Sequence, residues 1–292
     1  MPSKIAPSFA FEGAAPNQPY NRTMASTKLL ADIELAKRLE RTEAYGCASF
    51  VEAHARIDPD CGATWQEFAG AHAMFDGASS PITQSFRLGV FEEANDATLG
   101  EIEEFFRSRG ADVFLEVCPL AGAELAGRLV SRGYKPVELS NVMFREIDRF
   151  APDSSSTIEV RQTGDADADS WIDTTVRGWG DIPEAADYLR QTGPVLTQYA
   201  TNFLAEKDGS PVAAAALIIS DDVALLAGAC TIPEARRQGA QLALNNARLA
   251  YAAEQGCNVA MVVAEPGSAS QRNAERRGFR VAYTRTKWAL TA

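Results

Sequence analysis

Two stretches of this chain are built to the same plan, and any fold for it must accommodate both. Between Gly110 and Gly133, and again between Gly256 and Gly278, the sequence runs through a strand-like apolar segment, a proline just after it (Pro119, Pro266) and a helix-like segment. Each ends in Arg-Gly-aromatic, as Arg132-Gly133-Tyr134 and Arg277-Gly278-Phe279, and the paired glycines lie 23 and 22 positions apart. A helix stopped by glycine and continued by a strand-forming aromatic is an ordinary αβ unit on its own. Twice at one spacing, it predicts an internal duplication.

The flanking segments extend both copies. Lys28 to about Ile57 carries apolar residues at helical spacing, with Leu35, Ala36 and Leu39 on one side, and reads as one helix or as two joined at Gly46. Strand candidates follow at 64–77 and 81–91, separated by a Gly/Ser/Pro turn. A helix within 98–110, a buried-type strand within 111–119, a helix within 121–133 and a strand within 134–147 complete the first half. The second half opens with helical segments at 165–180 and 182–193. A three-strand meander over 202–232 then turns at Asp208-Gly209 and Asp221-Asp222, and a long alanine-rich helix, a strand at 258–265, a short helix at 268–278 and a strand at 279–290 follow.

These signals divide the chain into a disordered N-terminal segment, 1–26, a first domain, 27–149, a Pro/Ser/Asp-rich linker, 150–157, and a second domain, 158–292. Met24 is a candidate natural start. At 292 residues and 46% hydrophobic, the chain is long enough for two domains of average size. No apolar run approaches the ~20 residues that span a bilayer, and no signal-peptide pattern opens the sequence, so a cytoplasmic protein without membrane contact is expected. The five cysteines are odd in number and contain no CxxC pair, which argues for reduced thiols and against a zinc site; no metal is expected. A net charge of −11 disfavours general nucleic-acid binding.

An acidic chain can still hold an anion locally, and the turn at Thr231–Gly239 has the means. A strand ends, a short loop carries Arg236 and Arg237, and Gly239 precedes the long helix. Free amides and the helix dipole at such a junction favour negative charge, and glycine lets backbone approach a phosphate closely. A plain β–turn–α connection with a solvated arginine pair fits equally well. The turn is neither GxGxxG nor GxxxxGK[ST], so neither a dinucleotide fingerprint nor a P-loop is supported.

Taken together, residues 158–290 resemble the GNAT superfamily of acyl-CoA-dependent N-acyltransferases. Arg236, Gly239 and the preceding Thr231-Ile232-Pro233 match its pyrophosphate loop, and Ser268–Phe279 matches its later helix ending in Gly-Phe. The resemblance implies an α/β (α+β) fold of two tandem GNAT-like domains, each a mixed, mostly antiparallel sheet flanked by helices. The first copy looks degenerate, since Glu92, Glu93 and Asp96 occupy its loop and would repel a diphosphate.

It also implies an acyl-CoA cosubstrate, acetyl-CoA first, and direct attack by a primary amine on the thioester. The amine belongs to a small-molecule or peptide acceptor. Backbone of Ala229, Cys230, Thr231 and Ile232 is expected to pair with pantetheine, and Arg236, Arg237, Gln238, Gly239, Ala240 and Gln241 to hold the pyrophosphate, with Arg272 and Asn273 as further CoA contacts. Trp179, Asp181 and Tyr188 are expected on the acceptor wall, although the aromatics fit a core equally well. A homodimer fits the family as well.

The chain departs from the family pattern in three places. Gln241 ends the loop where Gly or Ala is usual. Ala274 replaces the tyrosine that often acts as general acid, leaving Ser270, Ser268 or water. The strand before the loop carries no glutamate, so Glu265 is the candidate base, with a solvated strand-end glutamate the equal alternative. Cys230 reads as a packed thiol rather than a nucleophile. Two alternatives stay open: a non-catalytic acyl-CoA sensor or scaffold, and a tandem GNAT protein of the mycothiol synthase or aminoacyl-transferase kind.

Overall fold

The last strand of each half is built into the sheet of the other. In a computed structural model, which describes residues 29–147 and 158–291, eleven strands form one continuous sheet. The first half supplies β1 (Thr64–Phe68), β2 (Ala71–Phe75), β3 (Gln84–Phe86), β4 (Val113–Val117) and β5 (Lys135–Glu146). The second supplies β6 (Glu159–Gln162), β7 (Thr201–Lys207), β8 (Ser210–Ser220), β9 (Val223–Thr231), β10 (Val259–Ala264) and β11 (Arg280–Leu290). Their spatial order is β1-β2-β3-β4-β11-β5-β10-β9-β8-β7-β6. β11 lies between β4 and β5, and β5 between β11 and β10, all antiparallel. The order is nearly palindromic about the β11–β5 pair, as an internal duplication requires.

Each half contains one parallel pair joined by a crossover helix. α2 (Asp96–Arg107) links β3 to β4, and α6 (Ala240–Glu254) links β9 to β10. α3 (Ala123–Ser131) and α7 (Ala269–Glu275) precede the exchanged strands. Residues from Ala31 onward form one compact unit, so the segments 27–149 and 158–292 are distinct in sequence order while sharing a sheet in space. The expected disordered segment, 1–26, and linker, 150–157, lie outside the described residues.

Local chemistry accounts for most of the elements. α1 (Ile33–Ile57) is a single helix through Gly46, capped by Asp32, whose carboxylate accepts from Leu35 N at 2.9 Å. A Cβ on Gly46 would lie 2.9 Å from Ile218 Cδ1, so this glycine lets α1 press against β8 of the other half. Residues 64–77, expected as one strand, fold as a hairpin instead. Ala69 and Gly70 both take positive φ, 44° and 75°, the two left-handed residues that a tight hairpin turn requires. α4 (Ala168–Gly178) falls within its expected range, whereas α5 (Pro183–Tyr199) runs through Pro194, six residues past the predicted stop at Gly193.

The exchanged strand β11 is fixed by charge as well as by backbone. Arg285, 2% exposed, donates to Glu116 Oε2 at 3.0 Å and forms a two-point pair with Glu43 at 2.7 and 2.9 Å. Glu40 Oε1 accepts from Tyr283 Oη at 2.8 Å and lies 3.4 Å from Arg285. Burial pushes the Glu40 carboxyl up, only partly offset by Arg285; a protonated Glu40 lets Arg285 and Lys287 balance Glu43 and Glu116.

Candidate functional site

β9 and β10 pair only from Val259↔Val223 to Met261↔Leu225, then separate. Just past the fork, β9 carries a bulge. Gly228 and Ala229 together oppose Ala215 on β8, and Gly228 takes φ +58°, which favours glycine there. Side chains take up the carbonyls around this irregularity from both faces of the sheet. The Trp171 indole on α4 donates to Ala215 O, and Arg248 on α6 donates to Ala216 O and Ala227 O.

Two cavities meet at the fork. The larger, about 620 Å³, runs from the end of α4 past Ala229–Thr231 and along the loop to the start of α6. The smaller, about 360 Å³, occupies the gap itself, between Leu225–Ala229 and Val262–Val263. Both are lined by Trp179, Ala229, Gln241, Asn273 and Arg277, so they form one continuous groove.

At the mouth of that groove α6 begins on Gly239, φ +92°, with no side-chain cap. Arg237, φ +64°, is the other left-handed residue of the loop. The amides of Ala240, Gln241 and Leu242 open the helix without an intrahelical acceptor, the arrangement that binds anions. The equivalent helix in the first half is closed. Asn95 Oδ1 accepts from both Ala97 N and Thr98 N at 3.0 Å, and Glu93 and Asp96 pair with Arg128. The first half thus has a self-capped helix start where the second has an open one.

Most of the expected cofactor residues meet at this groove. Ala229, Cys230, Thr231, Arg236, Arg237, Gly239, Ala240, Gln241 and Asn273 line it. Thr231 is 8% exposed and its Oγ1 has no partner, a buried hydroxyl suited to a ligand's polar group. Arg236 is turned from the helix terminus: it donates to Asp181 Oδ2 at 2.5 Å and to Gly178 O at 3.4 Å. Lys207, unmarked in the sequence reading, donates to Gln238 Oε1 at 2.7 Å beside the loop.

Other expected residues are placed elsewhere. Ile232 packs in the core, its amide bonded to Val212 O at 3.0 Å. Arg272 is exposed and donates to Gly267 O at 2.6 Å. Glu265 is exposed in the turn after β10 and lines neither cavity, because the strand ends at Ala264 before it can face the gap. Ser268 caps α7, accepting from Gln271 N at 3.1 Å, whereas Ser270 does line the smaller cavity.

On the acceptor side, Trp179 and Asp181 line the groove. Tyr188 lies outside it on α5; burial, chiefly, pushes its phenol up to about 12. Cys230 is buried against Thr174 O and Thr175 O at 3.9 and 3.8 Å, and burial raises its thiol to about 11, the signature of a packed cysteine. His54 and His72 pair with Asp76 and Glu67 in the first half.

Three charged residues of the groove were missed. Glu43 reaches the smaller cavity from α1, and nothing local in the sequence points there. Arg248 had a readable signal: it interrupts the buried row Ala240, Leu244 and Ala252 on α6. Arg277 was read only as part of the Arg-Gly-aromatic ending, yet it lines both cavities and donates to Gln241 O at 3.1 Å.

An open sheet fork, an uncapped crossover helix and a groove joining them are the arrangement that the resemblance to GNAT-type acyltransferases implies. Residues 167–279 match the family described as Acetyltransferase (GNAT) family, so the second half belongs to that family. No curated protein sequence matches the chain. Among solved structures, a GCN5-related N-acetyltransferase from Kribbella flavida is 20% identical, covers 91% of this chain and 97% of its own, and has a TM-score of 0.61. A GCN5-related N-acetyltransferase from Sphaerobacter thermophilus is 16% identical over 89% and 93%, with a TM-score of 0.54. A tandem GNAT protein from the clavulanic acid biosynthesis pathway is 13% identical over 90% and 97%, at 0.55. At these identities the likeness is one of fold, and it extends through the degenerate first half. Proteins of this family use acyl-CoA. Among the described residues no group of three or more His, Cys, Asp or Glu is placed to hold a metal, and no helix is long and apolar enough to cross a membrane.

Proposed function

We propose that the protein transfers an acetyl group from acetyl-CoA to a primary amine of a small molecule or peptide, by direct attack on the thioester. The observation that carries this reading is the uncapped start of α6, opening into a groove that continues to the fork of β9 and β10. The loop amides take the pyrophosphate, with the nearby Arg237 adding charge, and a charge-assisted hydrogen bond there contributes about 1.5–3 kcal/mol. The rest of CoA follows the groove toward the fork, where the thioester carbonyl meets the bulged backbone at Gly228 and Ala229. Trp179 and Asp181 border the approach of the amine, and Cys230 takes no covalent part.

A Cβ on Gly239 would meet no protein atom within 4 Å, so a side chain there disturbs backbone conformation and ligand space rather than packing. Gly239→Val is expected to weaken CoA binding at least tenfold by calorimetry, and unchanged affinity would refute the loop assignment. Turnover with a panel of amines, read as free thiol released, tests the chemistry. A non-catalytic acyl-CoA sensor is the second reading, favoured by Ala274 on the cavity wall and by the exposed Glu265. Tight binding with no thiol release toward any amine would select it.

A further inference from the structure

The gap between β9 and β10 carries more positive charge than its walls neutralise. β9 and β10 line it with Leu225–Ala229, Val262 and Val263, none of them titratable. Its charged groups are Glu43 from α1, Arg248 from α6 and Arg277 from the turn after α7. Glu43 is already taken by Arg285 in a two-point pair. Arg248 is 1% exposed, and its hydrogen bonds go to Ala216 O, Ala227 O, Leu244 O and Asn245 Oδ1. Arg277 donates to Gln241 O. All of these acceptors are neutral, so among the described residues two guanidiniums share one small cavity without a carboxylate partner.

Buried cations without counter-ions are costly, and a fold carries them at a functional groove when something anionic arrives there. Burial, then the neighbouring Arg277, lowers Arg248 to about 9. The pyrophosphate is not its partner. Arg248 lies eight residues beyond Ala240, about 12 Å along α6 from the phosphate-binding terminus. What reaches that depth is the sulfur end of the same cosubstrate.

We propose that Arg248 and Arg277 stabilise the CoA thiolate as it leaves. This rests on the acyl-CoA reading above and adds how the reaction expels its leaving group. The amine nitrogen bonds to the thioester carbon, the C–S bond breaks, and its electron pair departs on sulfur while the ammonium proton passes to water. Ser270 is the one hydroxyl side chain lining the cavity, and a serine is a weaker acid than a thiol, so it can hydrogen-bond the sulfur without protonating it. The two guanidiniums hold the thiolate until solvent protonates it.

The test is a titration of the thiol of CoA bound to the intact protein, followed by the ultraviolet absorbance of the thiolate. Bound CoA is expected to ionise at least about one pH unit below CoA free in solution titrated in parallel, and Arg248→Met or Arg277→Met to return it toward the free value. Should Arg248→Met fail to fold, the wild type and Arg277→Met decide. CoA that binds but ionises as in solution overturns this inference alone; absence of CoA binding overturns the acyl-CoA reading with it. A tenfold tighter hold on an acyl-CoA ending in a carboxylate than on acetyl-CoA, lost in Arg248→Met, assigns the arginines to the acyl group and also overturns it.

Discussion

Asn95 and Gly239 occupy the same place in the two halves, each immediately before a crossover helix. Asn95 folds its side chain back onto Ala97 N and Thr98 N, whereas Gly239 leaves its helix open. The two helix starts therefore differ in one side chain and in backbone conformation, extended at Asn95 and left-handed at Gly239. Gly239→Asn, a residue that tolerates the positive φ of this position, is expected to place a side chain in the ligand's space and to lower CoA affinity at least tenfold with little loss of stability. Asn95→Ala is expected to cost about 1 kcal/mol of stability without affecting CoA binding. Calorimetry and urea denaturation of both variants check the pair, and a fully retained affinity in Gly239→Asn contradicts it.

Arg285 joins the end of the chain to α1 and β4 of the first half through Glu43 and Glu116. Arg285→Met leaves Glu43 and Glu40 without their cation and Glu116 with Lys287 alone, so the cost should be about 3–5 kcal/mol. Because β11 lies inside the shared sheet, both halves should unfold in one transition. Urea denaturation followed by tryptophan fluorescence and far-UV circular dichroism would reveal a separate transition for either half.

Glu40 gives a pH signature. Its carboxyl is raised in the folded state, chiefly by burial, above the ordinary value of 4.5. Below that value both states hold the proton; as pH rises through it the unfolded chain releases the proton while the folded one retains it, so stability falls until the raised folded value is passed. Glu40→Gln keeps a hydrogen-bonding oxygen and has no proton to lose. Its melting temperature relative to wild type should therefore rise between pH 5 and pH 8, and a constant difference would contradict the assignment.

The thiols should separate by reactivity. Burial raises Cys230 to about 11 and Cys118 to about 12, whereas Cys61 is half-buried at the surface. At pH 8 only about a thousandth of Cys230 is thiolate. Iodoacetamide should label Cys61 within the time that leaves Cys230 untouched, and peptide mass spectrometry reads the order. Early labelling of Cys230 would mean a reactive thiol at the groove.

The elements of this fold were largely legible because their signals are local. Asp208-Gly209 and Asp221-Asp222 do turn the meander, and Asp208 and Asp221 both take positive φ. The paired Arg-Gly-aromatic endings do mark matching helix–strand junctions. The loop from Arg236 to Gln241 could be singled out in the sequence because a strand end, a glycine and a helix start are neighbours there. The hairpin at 64–75 was missed because Ala69 is an unusual residue for a left-handed turn position.

The sequence by itself determined the duplication and the order of helices and strands; each rests on spacing or on residues within a turn of one another. Only the tertiary structure decided that β5 and β11 change places, and that Glu43, Arg248 and Arg277 share one cavity. Glu43 and Arg285 stand 242 residues apart, and periodicity says nothing about which distant strand a segment joins. That choice is made by packing across the whole sheet: a strand's apolar alternation fits either neighbour, and buried charge on α1, β4 and β11 fits one arrangement.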